Sequence, residues 1–93
     1  VFLAEGREEL DAAVDWYEER RAGLGTRFTL AVGTVLERIA DTPKLHAFIL
    51  GDARKAVVRG FPYCVYYREE GENVVMLSVF HTSRNPVEWQ RRV

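Results

Sequence analysis

The chain contains one cysteine (Cys64), three prolines, one methionine and two histidines in 93 residues. It also lacks any apolar run approaching the roughly 20 residues that a bilayer-spanning helix requires. A lone thiol excludes an internal disulfide, and His46 and His81 have no Cys or His neighbours at metal-ligand spacing, so neither a disulfide scaffold nor a metal module is expected. The cytoplasm is the expected compartment, with no membrane association and no cofactor. No signal-peptide pattern, internal repeat or low-complexity segment is present. Because the first residue is Val1 rather than Met, a few residues are expected to precede it. A large excess of either charge is also lacking. The formal net charge of −1 is far from the basic balance of a dedicated duplex-DNA binder, so sequence-specific DNA recognition is not expected.

What is present is a globular composition, 47% hydrophobic and 12% aromatic, in a length that suits one domain spanning residues 1–93. The small net charge is made of two opposed halves. Residues 1–52 carry ten Asp/Glu and six Lys/Arg (−4), and residues 53–93 carry four and seven (+3).

From Glu5 to about Arg21, Leu10, Ala13, Val14 and Tyr17 recur at i, i+3, i+4 and i+7, which predicts a helix with one apolar face. Glu5, Glu8 and Glu9 fall early in it and Arg20 and Arg21 late, the order the helix dipole favours. Trp16 lies beside the stripe, placed either to cap the core or to face a partner. Gly23 and Gly25 end the segment. A second helix is predicted over about Thr26–Ala40, with Phe28, Val32, Val35, Leu36 and Ile39 inward. The short loop between the two requires an antiparallel helical hairpin. Residues 44–52 read as a connector pinned by Phe48, Ile49 and Leu50.

Three β-branched and aromatic runs follow, Ala53–Arg59, Tyr63–Arg68 and Val74–Phe80, bounded by Gly, Pro and Asn as in an antiparallel meander. With Val1–Ala4 as the end of a further strand, the chain reads as an α+β fold in β-α-α-β-β-β order, its helical hairpin on one face of a mostly antiparallel sheet. Strict alternation places Ala56, Val58, Tyr63, Val65, Tyr67, Val75, Leu77 and Val79 towards the helices. Lys55, Val57, Arg59, Cys64, Tyr66, Arg68, Met76, Ser78 and Phe80 then fall on the opposite face. That face is too apolar for bulk water, so either the C-terminal tail folds over it or it receives another chain.

Candidate chemistry collects after the last strand, in His81-Thr82-Ser83-Arg84-Asn85-Pro86 and Trp89. Arg84 offers a forked donor for phosphate or carboxylate and His81 a titratable group, although a structural corner with Trp89 covering the sheet accounts for the same residues. Lys55 and Arg59 share a strand face and join Arg68 and Arg84 as a candidate basic patch. No hydrolase triad is supported, since Ser78 and Ser83 lack a glycine-flanked elbow. Cys64 reads as a packed thiol.

The block RKAVVRGFPYCVYYREEGENVVMLSVFHTSRNPVEW, preceded by a helix containing DWYEERRAGLG, resembles the RelE/ParE superfamily of bacterial toxins over nearly the whole chain. The resemblance implies a toxin of a type II toxin–antitoxin, or plasmid-stabilisation, system, neutralised by a cognate antitoxin. RelE-like members cut messenger RNA on the ribosome without a metal, whereas ParE-like members poison DNA gyrase. Ribonuclease members use a Lys-x-Lys pair, a strand Arg, an Arg after the last strand and a late Tyr. Here Lys55 matches the first Lys, while Val57, Cys64, Thr82 and Trp89 stand at the other positions. The ParE-like reading is therefore favoured, with Arg59, Arg84 and Trp89 as target-binding residues and Trp16, Tyr66, Met76 and Phe80 as antitoxin-binding residues. If the chain were a ribonuclease, Lys55, Arg59, His81 and Arg84 would be its catalytic candidates. A non-toxic binding module on the same fold is the third alternative.

Overall fold

A computed structural model describes residues 1–93. Helix α1 (Ala4–Arg20) and helix α2 (Leu24–Asp41) form the hairpin, and strands β1 (Phe48–Leu50), β2 (Ala53–Val58), β3 (Tyr63–Glu70) and β4 (Asn73–His81) form one antiparallel sheet in sequential order. A single turn of helix, α3 (Val87–Gln90), ends the chain. The predicted helices and the three long strands are present to within a few residues. Residues 48–50, expected as part of a connector, form β1, which pairs with β2 across the turn at Gly51 and Asp52. Val1–Ala4, expected as the end of a strand, contributes a single bridge beside β4. Phe2 forms a parallel bridge with Met76, and the Leu3 amide donates to the Met76 carbonyl at 2.9 Å.

The hairpin turn rests on glycine. Gly23 has φ 88°, the left-handed region that glycine enters without strain. Where α1 and α2 cross, a Cβ on Gly25 would lie 2.7 Å from the Val14 carbonyl oxygen, so only glycine permits this approach. Glu18 fastens the junction, its two carboxylate oxygens accepting from the Gly23 amide at 2.8 Å and the Gly25 amide at 2.9 Å. A carboxylate there meets the unpaired N–H groups and positive dipole end of α2.

Two cores lie on either side of the sheet. The larger joins Ala13, Phe28, Val32, Val35 and Ile39 of the helices to Ala56, Val58, Val65, Tyr67, Met76 and Val79. The smaller holds Ala53, Cys64, Tyr66, Val75, Leu77, Phe80 and Trp89. The face assignment read from alternation therefore needs correction on β4: Val75 and Leu77 belong to the smaller core, and Met76 faces the helices. The cause is a β-bulge. Tyr66 pairs with Ser78 but Tyr67 pairs with Met76, which leaves Leu77 as the extra residue. One inserted residue reverses the parity of a strand on either side of it.

Of the two covers foreseen for the second face, the structure shows the chain's own tail. Trp89 lies flat on Tyr66, ring centroids 3.8 Å apart and planes 11° apart, and is 1% exposed.

Candidate functional site

The outer edge of β4 would present unpaired backbone groups. Residues 1–3 satisfy its first half. Further along, α1 passes so close that a Cβ on Gly6 would meet the Met76 carbonyl oxygen at 3.1 Å. This approach carries Glu9 to the strand, where one carboxylate oxygen accepts from Ser78 Oγ at 2.8 Å and from the Val79 amide at 3.3 Å. Arg92 reaches in from the C-terminus, its Nη1 donating to Glu9 at 2.7 Å and to the Leu77 carbonyl at 3.0 Å. With side-chain exposures of 12% for Glu9 and 14% for Arg92, the pair is partly desolvated and multiply hydrogen-bonded, the condition in which such a contact holds firmly. It ties helix, edge strand and tail together.

Beside this tie, a cleft of about 720 Å³ opens between α1 and the ends of β3 and β4. Glu5, Glu8, Glu9, Ala12, Trp16 and Tyr17 line it from α1, and Tyr63, Val79, His81, Arg84 and Arg92 from the sheet and the tail. Tyr17 sits in an aromatic cluster, its ring 5.1 Å from Phe28 and 5.0 Å from Phe61. Burial pushes the Tyr17 and Tyr63 phenols above their ordinary range, with Tyr17 adding to the effect at Tyr63 and Arg84 opposing it. Both are therefore neutral hydrogen-bonding groups near neutral pH.

His81 packs edge-on against Tyr63 at 5.1 Å. Its Nδ1 accepts from the Ser83 amide at 3.1 Å, which leaves Nε2 as the protonated nitrogen of the neutral ring. Ser83 Oγ is 2.7 Å from the same Nδ1. Arg84 lies 5.0 Å over the Phe80 ring, pairs with Glu88 of α3 and stands 3.8 Å from Glu9. No group of three or more His, Cys, Asp or Glu is arranged to hold a metal ion.

The residues singled out from the sequence do not converge on one place. His81, Arg84 and Trp16 line the cleft. Trp16 is 49% exposed, with the Arg20 guanidinium 4.3 Å over its ring. Lys55 lies on the opposite face of the sheet, where β2 pairs Val57 with Cys64. Arg59 is exposed at the β2–β3 turn. Arg68 is occupied by Glu70 at 3.1 Å, so the candidate basic patch of Lys55, Arg59, Arg68 and Arg84 is dispersed. Tyr66, Met76, Phe80 and Trp89 are buried within the chain and present almost no surface in this conformation. Burial also pushes the Cys64 thiol up, with Lys55 opposing, as expected of a packed thiol.

Sequence reasoning missed Glu9 and Arg92. Each reads as one more surface charge, and nothing local marks a pair 83 residues apart as bonded.

Comparison with known proteins identifies the fold and family. The family model described as "ParE toxin of type II toxin-antitoxin system, parDE" matches residues 2–86. Among curated proteins no sequence matches. A solved structure titled "Chromosomal ParDE TA system from P. aeruginosa" is similar with a TM-score of 0.65 at 15% identity, covering 88% of this chain and 92% of that chain, a likeness of fold. Because the family model spans all but the first residue and the last seven, a helical hairpin on a four-stranded meander with a short tail across its second face is here the architecture of a ParE toxin: the chain belongs to the ParE family of type II toxin–antitoxin systems.

Proposed function

We propose that this toxin acts by poisoning DNA gyrase in the cytoplasm and that a cognate antitoxin neutralises it. The observation that carries the choice of target is the poverty of charge on the sheet. Metal-free RNA cleavage needs groups that activate the 2′-hydroxyl, neutralise the phosphate and protonate the leaving oxygen. Lys55 is the unpaired cation there, beside the 65% exposed Val57 and the buried thiol of Cys64, with Arg68 held by Glu70. His81 and Arg84 lie together at the cleft, apart from Lys55 and Arg59. In this reading the exposed Arg59 and the half-exposed Arg84 contact the target as forked donors, and catalysis is not required of them.

The test is a pair of assays on one purified sample. Gyrase-driven DNA supercoiling is expected to be inhibited, and messenger RNA on translating ribosomes is expected to remain uncut, because loss of even one transition-state charge contact costs about a hundredfold or more in rate. Specific cleavage products that disappear in Arg84→Ala would overturn this reading in favour of a ribonuclease. Growth inhibition on expression, relieved by co-expressing the product of the neighbouring reading frame, tests the antitoxin.

A further inference from the structure

The sheet has two outer edges, and the chain covers one of them. Residues 1–3 and α1 lie along β4, whereas β1 has no neighbour on its far side. Natural proteins blunt an open edge with charged side chains or a proline, and residues 45–50 hold no Lys, Arg, Asp, Glu or Pro. Instead Leu45, Phe48, Ile49 and Leu50 are each 40% or more exposed, which gathers four of the ten large exposed apolar residues into one short stretch. The backbone of this edge is set for pairing. The Ala47 carbonyl accepts from the Lys55 amide of β2 at 3.2 Å, so the alternation of an antiparallel ladder turns the Phe48 N–H and C=O away from β2. Arg54 holds the approach to the strand in place, its Nη1 donating to the His46 carbonyl at 2.6 Å and the Lys44 carbonyl at 3.1 Å, with its guanidinium 3.8 Å over the Phe48 ring. Little ordering cost therefore remains for a strand laid alongside.

We infer that the open edge of β1 pairs antiparallel with β1 of a second copy of this chain, about a two-fold axis at Phe48, and so joins two four-stranded sheets into one. On that axis each Phe48 N–H meets the C=O of the other Phe48, and Ile49 falls opposite Ala47, a large side chain beside a small one. Charge at the two ends of the edge selects this occupant. Lys44, 80% exposed although it meets Glu69, precedes β1, and the exposed Asp52, which joins no ion pair, follows it. A two-fold axis brings the Lys44 end of each copy to the Asp52 end of the other, two attractive pairs in one isologous contact, whereas a parallel alignment would set like charges together. The three-residue length of β1 and its bulge keep the ladder short, so the association is weak and reversible. This contact lies at the opposite edge of the sheet from the cleft and stands whichever cellular target the toxin poisons.

The experiment is sedimentation equilibrium on the full chain from about 1 µM to 1 mM, the span in which a small interface dissociates. The mean mass is expected to climb from that of the monomer, 10.7 kDa, towards twice that value. Phe48→Lys, which sets two like charges face to face on the axis, is expected to raise the dissociation constant about tenfold or more. Asp52→Lys should weaken the dimer as well, the exchange Lys44→Asp/Asp52→Lys should restore it, and Glu72→Lys at the β3–β4 turn should leave it unchanged. Circular dichroism on each variant verifies the fold. A hydrogen-bonded antiparallel pair holds its Cα atoms about 5.5 Å apart, within disulfide reach, so Phe48→Cys should cross-link two copies under mild oxidation faster than Leu30→Cys on the exposed side of α2. A monomer at every concentration would leave the edge to a strand of another protein and overturn the inference. So would a dimer indifferent to Phe48→Lys, a charge exchange that fails to restore it, or cross-linking no faster at Phe48→Cys than at Leu30→Cys.

Discussion

Replacing Trp89 by alanine is expected to destabilise the protein by about 3 kcal/mol. Removal of a buried Trp or Phe from a core costs about 3–5 kcal/mol, and the flat stack on Tyr66 adds roughly 0.5–1.5 kcal/mol of aromatic pairing. Two features pull the figure towards the lower end. Trp89 Nε1 is buried with no hydrogen-bond partner, and its removal relieves a penalty of about 1–3 kcal/mol. The residue also sits on a four-residue helix near the chain end, which can settle onto the gap or lift away from Tyr66, Leu77 and Phe80 instead of leaving a rigid void.

In a domain of this size 1 kcal/mol corresponds to about 4–8 °C in Tm, so calorimetry should show a drop of about 12–24 °C. Trp89→Phe, which keeps a stacking ring and removes the unpartnered N–H, should cost about 1 kcal/mol or less. A drop under about 4 °C for Trp89→Ala would refute the reasoning and return Trp89 to the surface, where it could contact a target. With the expected drop, loss of toxicity in the alanine variant reports a weakened fold.

Three further perturbations test other parts of the structure. Gly25→Ala should cost about 1–3 kcal/mol, because its methyl meets the Val14 carbonyl oxygen at 2.7 Å and Glu18 Oε1 at 2.9 Å, while Gly33→Ala, with nothing within 4 Å, should stabilise by about 0.5–1 kcal/mol in urea titration. Glu9→Ala should cost about 3 kcal/mol, since it leaves Arg92, Ser78 and the Val79 amide without their acceptor; Glu9→Gln, which retains an acceptor, should cost less. The phenols of Tyr17, Tyr63, Tyr66 and Tyr67 and the Cys64 thiol are all raised, chiefly by burial, above their ordinary values of 10.0 and 9.0. In the alkaline range the unfolded chain loses these protons before the folded one does, so their contribution is complete below about pH 8 and is lost as pH rises through about 9 for the thiol and through about 10 and above for the phenols. Denaturation midpoints should be flat from about pH 7 to 8, begin to fall by about pH 9 and fall steeply beyond about 10, and a midpoint that rose with pH there would contradict the burial of these groups.

Local periodicity determined much of this protein from the sequence alone. Leu10, Ala13, Val14 and Tyr17 on α1 and Phe28, Val32, Val35 and Ile39 on α2 occupy the helix-side core because a 3.6-residue repeat is a property of neighbours along the chain. The β2 and β3 runs kept their predicted faces for the same reason. His81 and Arg84 were legible as rim residues because Asn85-Pro86 announces the turn that places them.

What only the tertiary structure decided is non-local. The bulge at Leu77 moved Met76 to the helix side, and no residue of β4 signals it, because an inserted residue is defined against the partner strand. β1 is a strand only because β2 offers it an edge. Trp89 was compatible with a surface anchor and with a cover until Tyr66, 23 residues earlier, was placed beneath its ring. Glu9 and Arg92 were two charges in polar stretches until the close approach of α1 at Gly6 brought them to the same strand edge. Composition gave the acidic excess of the first half, but only the packing of α1 against the ends of β3 and β4 sets Glu5, Glu8 and Glu9 beside the aromatic cleft.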